Sequence, residues 1–316
     1  MRIFLACLFL MISLPTHAQE PPEKSWPTIK PAWDVLKQTG SGIVTNVIDG
    51  LRLQLHDGSI IHLSGLDIPD LYQPEPGKYA VAAQNLLEDL FLNQKVNLYQ
   101  TPNPNQGRTN RMGHRMTHVT RADNDLWAQG ALIAQGLARV RTTGDNHALA
   151  PEMLALEKTA RENIPEVAEG EPASPYLWRE DKYAILNLET VEHANRESFQ
   201  IVEGKILKVA SRNNVVFLNF GQNWRNDFTV SIPSDVRKDF SRAGANPLQW
   251  SGRYIRVRGW LDDYNGPHIE VDHPERIEFI EPEDTEEAKG KFAVPPLDKE
   301  IIKNALPDIK QPQYRQ

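Results

Sequence analysis

Residues 48–70, IDGLRLQLHDGSIIHLSGLDIPD, constrain the fold more than any other stretch of this chain. Apolar and polar residues alternate through 51–56 and again through 59–66, the period of strands with one face buried. His56-Asp57-Gly58 between them has the composition of a tight turn. Pro69 ends the third strand, because proline donates no ladder hydrogen bond. Short strands of this kind are stable only when more strands or a helix cover their apolar face.

The flanking sequence supplies that cover. Residues 42–49 alternate like a first strand. Residues 79–92 place Ala80, Ala83, Leu86, Leu87 and Leu90 on one side of an amphipathic helix. Residues 95–99 and 116–120 read as a hairpin whose long polar loop holds Pro102, Pro104, Gly107 and Gly113. The spacing of Leu126, Ile133, Leu137 and Val140 predicts a helix over 125–140, weakened by Gly130 and Gly136. A third helix is expected over 148–163, with Pro151 in its first turn. The fold class expected is mainly β with helices, a five-stranded barrel followed by a second small β-barrel.

The I-D-G turn at 48–50, the hairpin after it and Leu66-Asp67-Ile68-Pro69-Asp70 resemble the opening of a staphylococcal-nuclease-like (thermonuclease) domain. That resemblance implies an OB-type barrel carrying helices, and Ca²⁺-dependent hydrolysis of nucleic-acid phosphodiesters. Two carboxylates would hold the ion, a third would orient the attacking water, and two arginines would clamp the phosphate. Carried onto this sequence, Asp49 falls near the metal and Asp67 on one metal ligand. The other metal-binding aspartate is replaced by Leu51, which cannot ligate calcium. The water-orienting glutamate falls on Asp70, one methylene shorter. The two arginine positions fall on His62 and His114, with Arg111 and Arg115 beside the latter.

The implied site is degenerate. A neutral imidazole makes one directed contact where a guanidinium makes a fork, although acid would charge both histidines. Turn chemistry alone also accounts for Asp49-Gly50 and for Asp67-Ile68-Pro69. His114 and His118 have H-x-x-x-H spacing, but on a strand they would stand roughly 13 Å apart, too far to chelate one ion. They are expected to be ordinary strand-surface histidines. If the alignment holds, Leu51→Asp, His62→Arg and His114→Arg together should restore calcium binding and cleavage.

Residues 164–175 are a Pro/Glu/Ala/Ser linker or insertion, and Leu177-Trp178 is either the Gly-Leu-Trp type turn that the resemblance implies after the third helix or an unrelated loop tryptophan. Strand composition returns at 199–210, 215–220, 228–232, 254–261 and 268–271, with a short helix at 234–243. Another OB-like unit is expected there. Trp224, Arg256 and Arg258 place aromatics beside arginines, a pattern that could stack and clamp single-stranded nucleic acid. Arg256 and Arg258 alternate with Val257 and are expected on an outer face.

Net charge is −7 over 316 residues, so nucleic-acid binding would need a local patch. Met1-Arg2, an apolar run to Leu14 and Ala18 before Gln19 read as a cleavable signal peptide, which predicts a periplasmic or secreted protein. Cys7 lies inside it, and no later run suits a membrane span. The organisation expected is 1–18 signal peptide, 19–37 leader, 38–164 thermonuclease-like domain, 165–198 linker, 199–281 OB-like domain and 282–316 tail. The sequence favours a weakly catalytic or non-catalytic binding module. An active nuclease with a rearranged site, and an envelope scaffold for a protein or glycan, are the rivals.

Overall fold

The computed structural model describes residues 31–170, 172–194 and 196–285. The expected signal peptide and most of the expected tail lie outside them. The protein is mainly β with a few helices. β1 (Lys37–Asp49), β2 (Arg52–Leu55), β3 (Ile60–Leu63) and the short β4 (Leu66–Asp67) follow the alternation of the sequence. α1 (Lys78–Phe91) leads into β5 (Lys95–Gln100) and β6 (Arg115–Arg121). The strands close into a barrel in the order β1-β2-β3-β6-β5, an order consistent with an OB-type barrel. Its pairs are antiparallel except β3 with β6.

α1 buries Tyr79, Ala80, Ala83, Leu87 and Phe91 in the first core. Gly50 lets it approach: a Cβ there would stand 2.8 Å from both the Ala83 Cβ and the Ile68 Cδ1. Trp33 stacks on Tyr99 and Leu36 is buried, so the described end of the leader packs on the barrel.

The helix expected over 125–140 is shorter. α2 covers Ala128–Ala134, and β7 (Arg139–Val140) then pairs antiparallel with β4. Gly136 ends the helix, with φ +61° and the Tyr176 ring 2.6 Å from where a Cβ would lie. Its carbonyl accepts the Leu177 N–H at 2.8 Å. α3 (Ala150–Glu162) packs on α2 and β7.

The stretch expected as a linker over 165–198 carries structure. Leu177, Tyr183, Ile185, Leu186 and Val191 are buried, and α4 (Leu188–Glu192) begins with an Asn187/Thr190 capping box. β8 (Ser198–Lys205), β9 (Lys208–Arg212), β10 (Val215–Asn219) and β11 (Thr229–Ile232) follow. α5 (Arg237–Arg242) precedes β12 (Tyr254–Asp263), β13 (Pro267–Glu270) and β14 (Ile277–Ile280). One sheet of seven strands runs β14-β12-β13-β11-β10-β9, with β8 also on β12. It encloses a second core built around Val216, Leu218, Val230, Phe240, Ile255 and Ile269. Among the described residues no helix is long and apolar enough to cross a membrane.

The two cores are joined by buried ions. Arg258 of β12 and Glu157 of α3 have fully buried side chains. The guanidinium donates to Glu157 Oε1 and Oε2 at 3.1 and 2.9 Å, to the Val140 carbonyl at 3.1 Å and to Glu278 at 2.6 Å. Arg256, also buried, pairs with Glu203 and Glu278. Burial opposes the charge on Arg258, but the two carboxylates outweigh it and raise its pKa. Burial likewise opposes the charge on Glu157, and Arg258 and Arg161 overcome it, so its pKa is lowered. The expected outer face of Arg256 and Arg258 is thus the seam between the two halves, and neither is placed to grip nucleic acid. Nearby, Thr142 Oγ1 meets His273 Nε2 at 2.7 Å, and the Gly144 N–H donates to Asp272 at 3.2 Å.

Candidate binding cleft

Leu51, His62, Asp67 and Asp70 line one cleft of about 610 Å³ between the two halves. Arg139, Arg141, Lys182 and Tyr183 share it, and Phe199 and Trp260 form its far wall. The I-D-G turn and the D-I-P-D ending bring these groups together because β1–β2 and β3–β4 return to the same rim of the barrel.

The carboxylates are already engaged. Asp49 accepts the Leu51 N–H at 2.9 Å and Arg52 Nε at 2.7 Å, so it closes its own turn. Asp67 accepts Arg139 Nε and Nη2 at 3.1 and 2.7 Å, and Arg141 Nη1 lies 3.6 Å away. Asp70 sits at φ +58° and accepts the Tyr183 hydroxyl at 2.9 Å and Lys182 Nζ at 3.3 Å. Leu51 is 3% exposed and belongs to the first core. Calcium at Asp67 would have to displace two guanidinium groups, and Leu51 supplies no second carboxylate. The residues present do not fit the metal site that the resemblance implies. Among the described residues no group of three or more His, Cys, Asp or Glu side chains is placed to hold a metal ion.

The histidines depart from expectation. His62 is half-buried, its Nδ1 lies 3.2 Å from the Leu63 carbonyl, and burial lowers its pKa. Acid therefore charges it less readily than a free imidazole. His114 precedes β6 and is buried, with Nδ1 unpartnered among the described residues. His118 is buried beside Trp127, and burial pushes it down to about 3. Neither His114 nor His118 is a strand-surface histidine. His114 does not line the cleft, and neither do Arg111, exposed in its loop, or Arg115, which donates to the Thr39 carbonyl at 3.3 Å. Trp224 is exposed, with the Arg225 guanidinium 4.4 Å from its ring centroid, and lies outside the cleft.

Several cleft groups have weak sequence signals. Arg139 lies inside the helix expected over 125–140 and Arg141 directly after it, although the R-V-R alternation after Gly136 has strand period. Both guanidinium groups lie over Phe199, at 5.1 and 5.5 Å, and Arg141 also lies 5.5 Å from the Trp260 ring. Trp260 Nε1 donates to Glu197 Oε2 at 3.1 Å. Lys182 and Tyr183 come from the expected linker.

Fold and cleft define a mainly β protein with a closed five-stranded barrel, whose barrel rim and second sheet enclose a cleft lined by acid–guanidinium pairs. No protein-family model matches the chain, and no curated protein matches it.

Proposed function

We propose that the chain is an exported, periplasmic or secreted, thermonuclease-like protein in which the phosphodiesterase site has become a binding cleft with little or no hydrolysis. The barrel order, the turn at Asp49 and the gathering of Leu51, His62, Asp67 and Asp70 on one rim support the family reading. The second sheet supports a second OB-type barrel. At Ile206 and Leu207 the chain passes from bonding Arg253 to bonding Asn219, so β8 and β9 act as one bent first strand. That strand pairs with β12 at one end and β10 at the other, and β11 with β13 supplies a parallel pair like β3 with β6.

The observation that carries the functional reading is Asp67 held between Arg139 and Arg141. A carboxylate neutralised twice by its own protein is a weak calcium ligand, and the Arg139 fork spent on it cannot clamp a phosphate. The test is cleavage of single- and double-stranded DNA and RNA by the mature protein, with and without Ca²⁺, from pH 5 to 9. Turnover at background level, unchanged by Asp67→Ala, is expected. Robust Ca²⁺-stimulated cleavage lost in Asp67→Ala would reverse the conclusion. It would favour the rival nuclease reading, for which Arg139 and Arg141 facing the same cleft as Asp67 and Asp70 is the supporting observation.

A further inference from the structure

We propose that the cleft binds an oligosaccharide carrying a carboxylate, a uronate-type sugar, with the carboxylate on Arg141 and a ring face on Trp260. The inference rests on the reading of the cleft as a binding site and names its ligand class.

Arg141 is the cleft cation that can change partners. Its side chain is 42% exposed and its contact with Asp67 is 3.6 Å, longer than a hydrogen bond. Asp67 keeps two hydrogen bonds from Arg139 when Arg141 leaves, so release strands no buried charge. The planar guanidinium then offers a fork that matches an incoming carboxylate. Phe199 beneath it holds the side chain at the cleft wall.

Trp260 supplies the flat surface. It is 45% exposed, and its indole N–H is fixed by Glu197. Its β12 position pairs directly with Phe199 of β8, so the ring stands on a rigid element. An anchored indole presents an apolar plate with its polar edge already satisfied, which suits the C–H face of a pyranose. Gln200 and the exposed Tyr72 line the same cleft and offer uncharged partners for hydroxyl groups.

The charge count separates this ligand from a nucleic-acid strand. The cleft lining holds Asp67, Asp70 and Glu197 against Arg139, Arg141 and Lys182, three acids and three bases. A polyphosphate needs a surplus of cations along its track. One carboxylate needs a single guanidinium, freed from an acid that retains another. The volume of about 610 Å³ suits one or two sugar rings rather than a long strand.

The experiment is calorimetric titration of the full-length protein, with tryptophan fluorescence in parallel. Digalacturonate is the probe, and its dimethyl ester, chitobiose and the dinucleotide pTpT are the comparisons. Saturable binding of digalacturonate is expected, at least about tenfold weaker for the ester and in Arg141→Gln, as loss of a charged hydrogen bond requires. Trp260→Ala should weaken binding similarly, and Trp260→Phe, which keeps a plate, should retain most of it. Thermal melts establish that each variant folds, and the ester comparison needs no variant. Absence of digalacturonate binding at millimolar concentration, equal binding of the ester or chitobiose, or tighter binding of pTpT would each overturn the inference. None of these touches the non-hydrolytic reading, which falls instead if pTpT is cleaved.

Discussion

Arg258 and Glu157 show what a buried pair demands at the scale of one residue. Removing one member leaves the other charged with no solvent to receive it, a loss of about 3–5 kcal/mol. Arg258→Met and Glu157→Gln should each lower the urea midpoint sharply, while the double variant recovers part of the loss. A double-mutant cycle from chemical denaturation measures this coupling. His118 gives the pH dependence. Its folded-state pKa, about 3, lies below the ordinary imidazole value near 6.5, so the unfolded chain binds the extra proton between those values. Stability is full above about pH 6.5 and falls as pH drops toward 3, by up to about 1.4 kcal/mol per unit. Thermal midpoints at pH 7, 5.5 and 4.5 should decline, and His118→Phe should flatten the slope. Leu51→Asp shows the same rule in reverse. A carboxylate placed in that core should destabilise the protein rather than build a calcium site, so the triple substitution drawn from the family pattern should bring neither calcium affinity nor cleavage. Calcium titration together with a melt decides it.

At the scale of the element, Gly136 is the position that stops α2 and frees β7. Gly136→Ala meets both a left-handed φ and the Tyr176 ring, and should cost at least about 1 kcal/mol in the denaturation free energy. It should also disturb Arg139 and Arg141, which the strand after Gly136 carries into the cleft. This element marks where the sequence was legible and where it was not. Strands β1, β2, β3 and β5 were legible because one face of each is buried and period two survives in the residues, whereas in β6 Thr117, His118, Val119 and Thr120 are all buried and no such alternation exists. The apolar spacing of Leu126, Ile133, Leu137 and Val140 runs through Gly136 without a break, so periodicity alone carried the helix too far. β14 was missed because Ile277-Glu278-Phe279-Ile280 is short and merges into an acidic run. Arg256 and Arg258 were assigned to one face correctly. Parity states which residues share a face and says nothing of what lies opposite, and here α3 and its Glu157 lie opposite. The positions of Asp67 and Asp70 were legible as a turn, whereas their partners come from β7 and from 182–183, distant in sequence.

For the whole molecule, the seam between the halves is the organising feature. It holds the ion network around Arg258, the Thr142–His273 contact and the two arginines over Phe199. The full chain should therefore unfold in one cooperative transition. A fragment ending at residue 163 should melt lower than the full chain or aggregate, since it keeps Glu157 without Arg258 and exposes the face that β12 covers. Differential scanning calorimetry of both proteins tests this; two separate transitions in the full chain would show the seam to be weaker than its contacts imply.

The guanidinium that hydrogen-bonds Glu157, that of Arg258, lies 101 residues further along the chain. On the ribosome the N-terminal half is complete long before that guanidinium exists. Until then the acid has the Val140 N–H and, 3.8 Å away and beyond hydrogen-bond reach, the Arg161 guanidinium of its own helix. Synthesis order thus leaves the bonds between Glu157 and Arg258 to form only once β12 has emerged, so this part of the seam closes late.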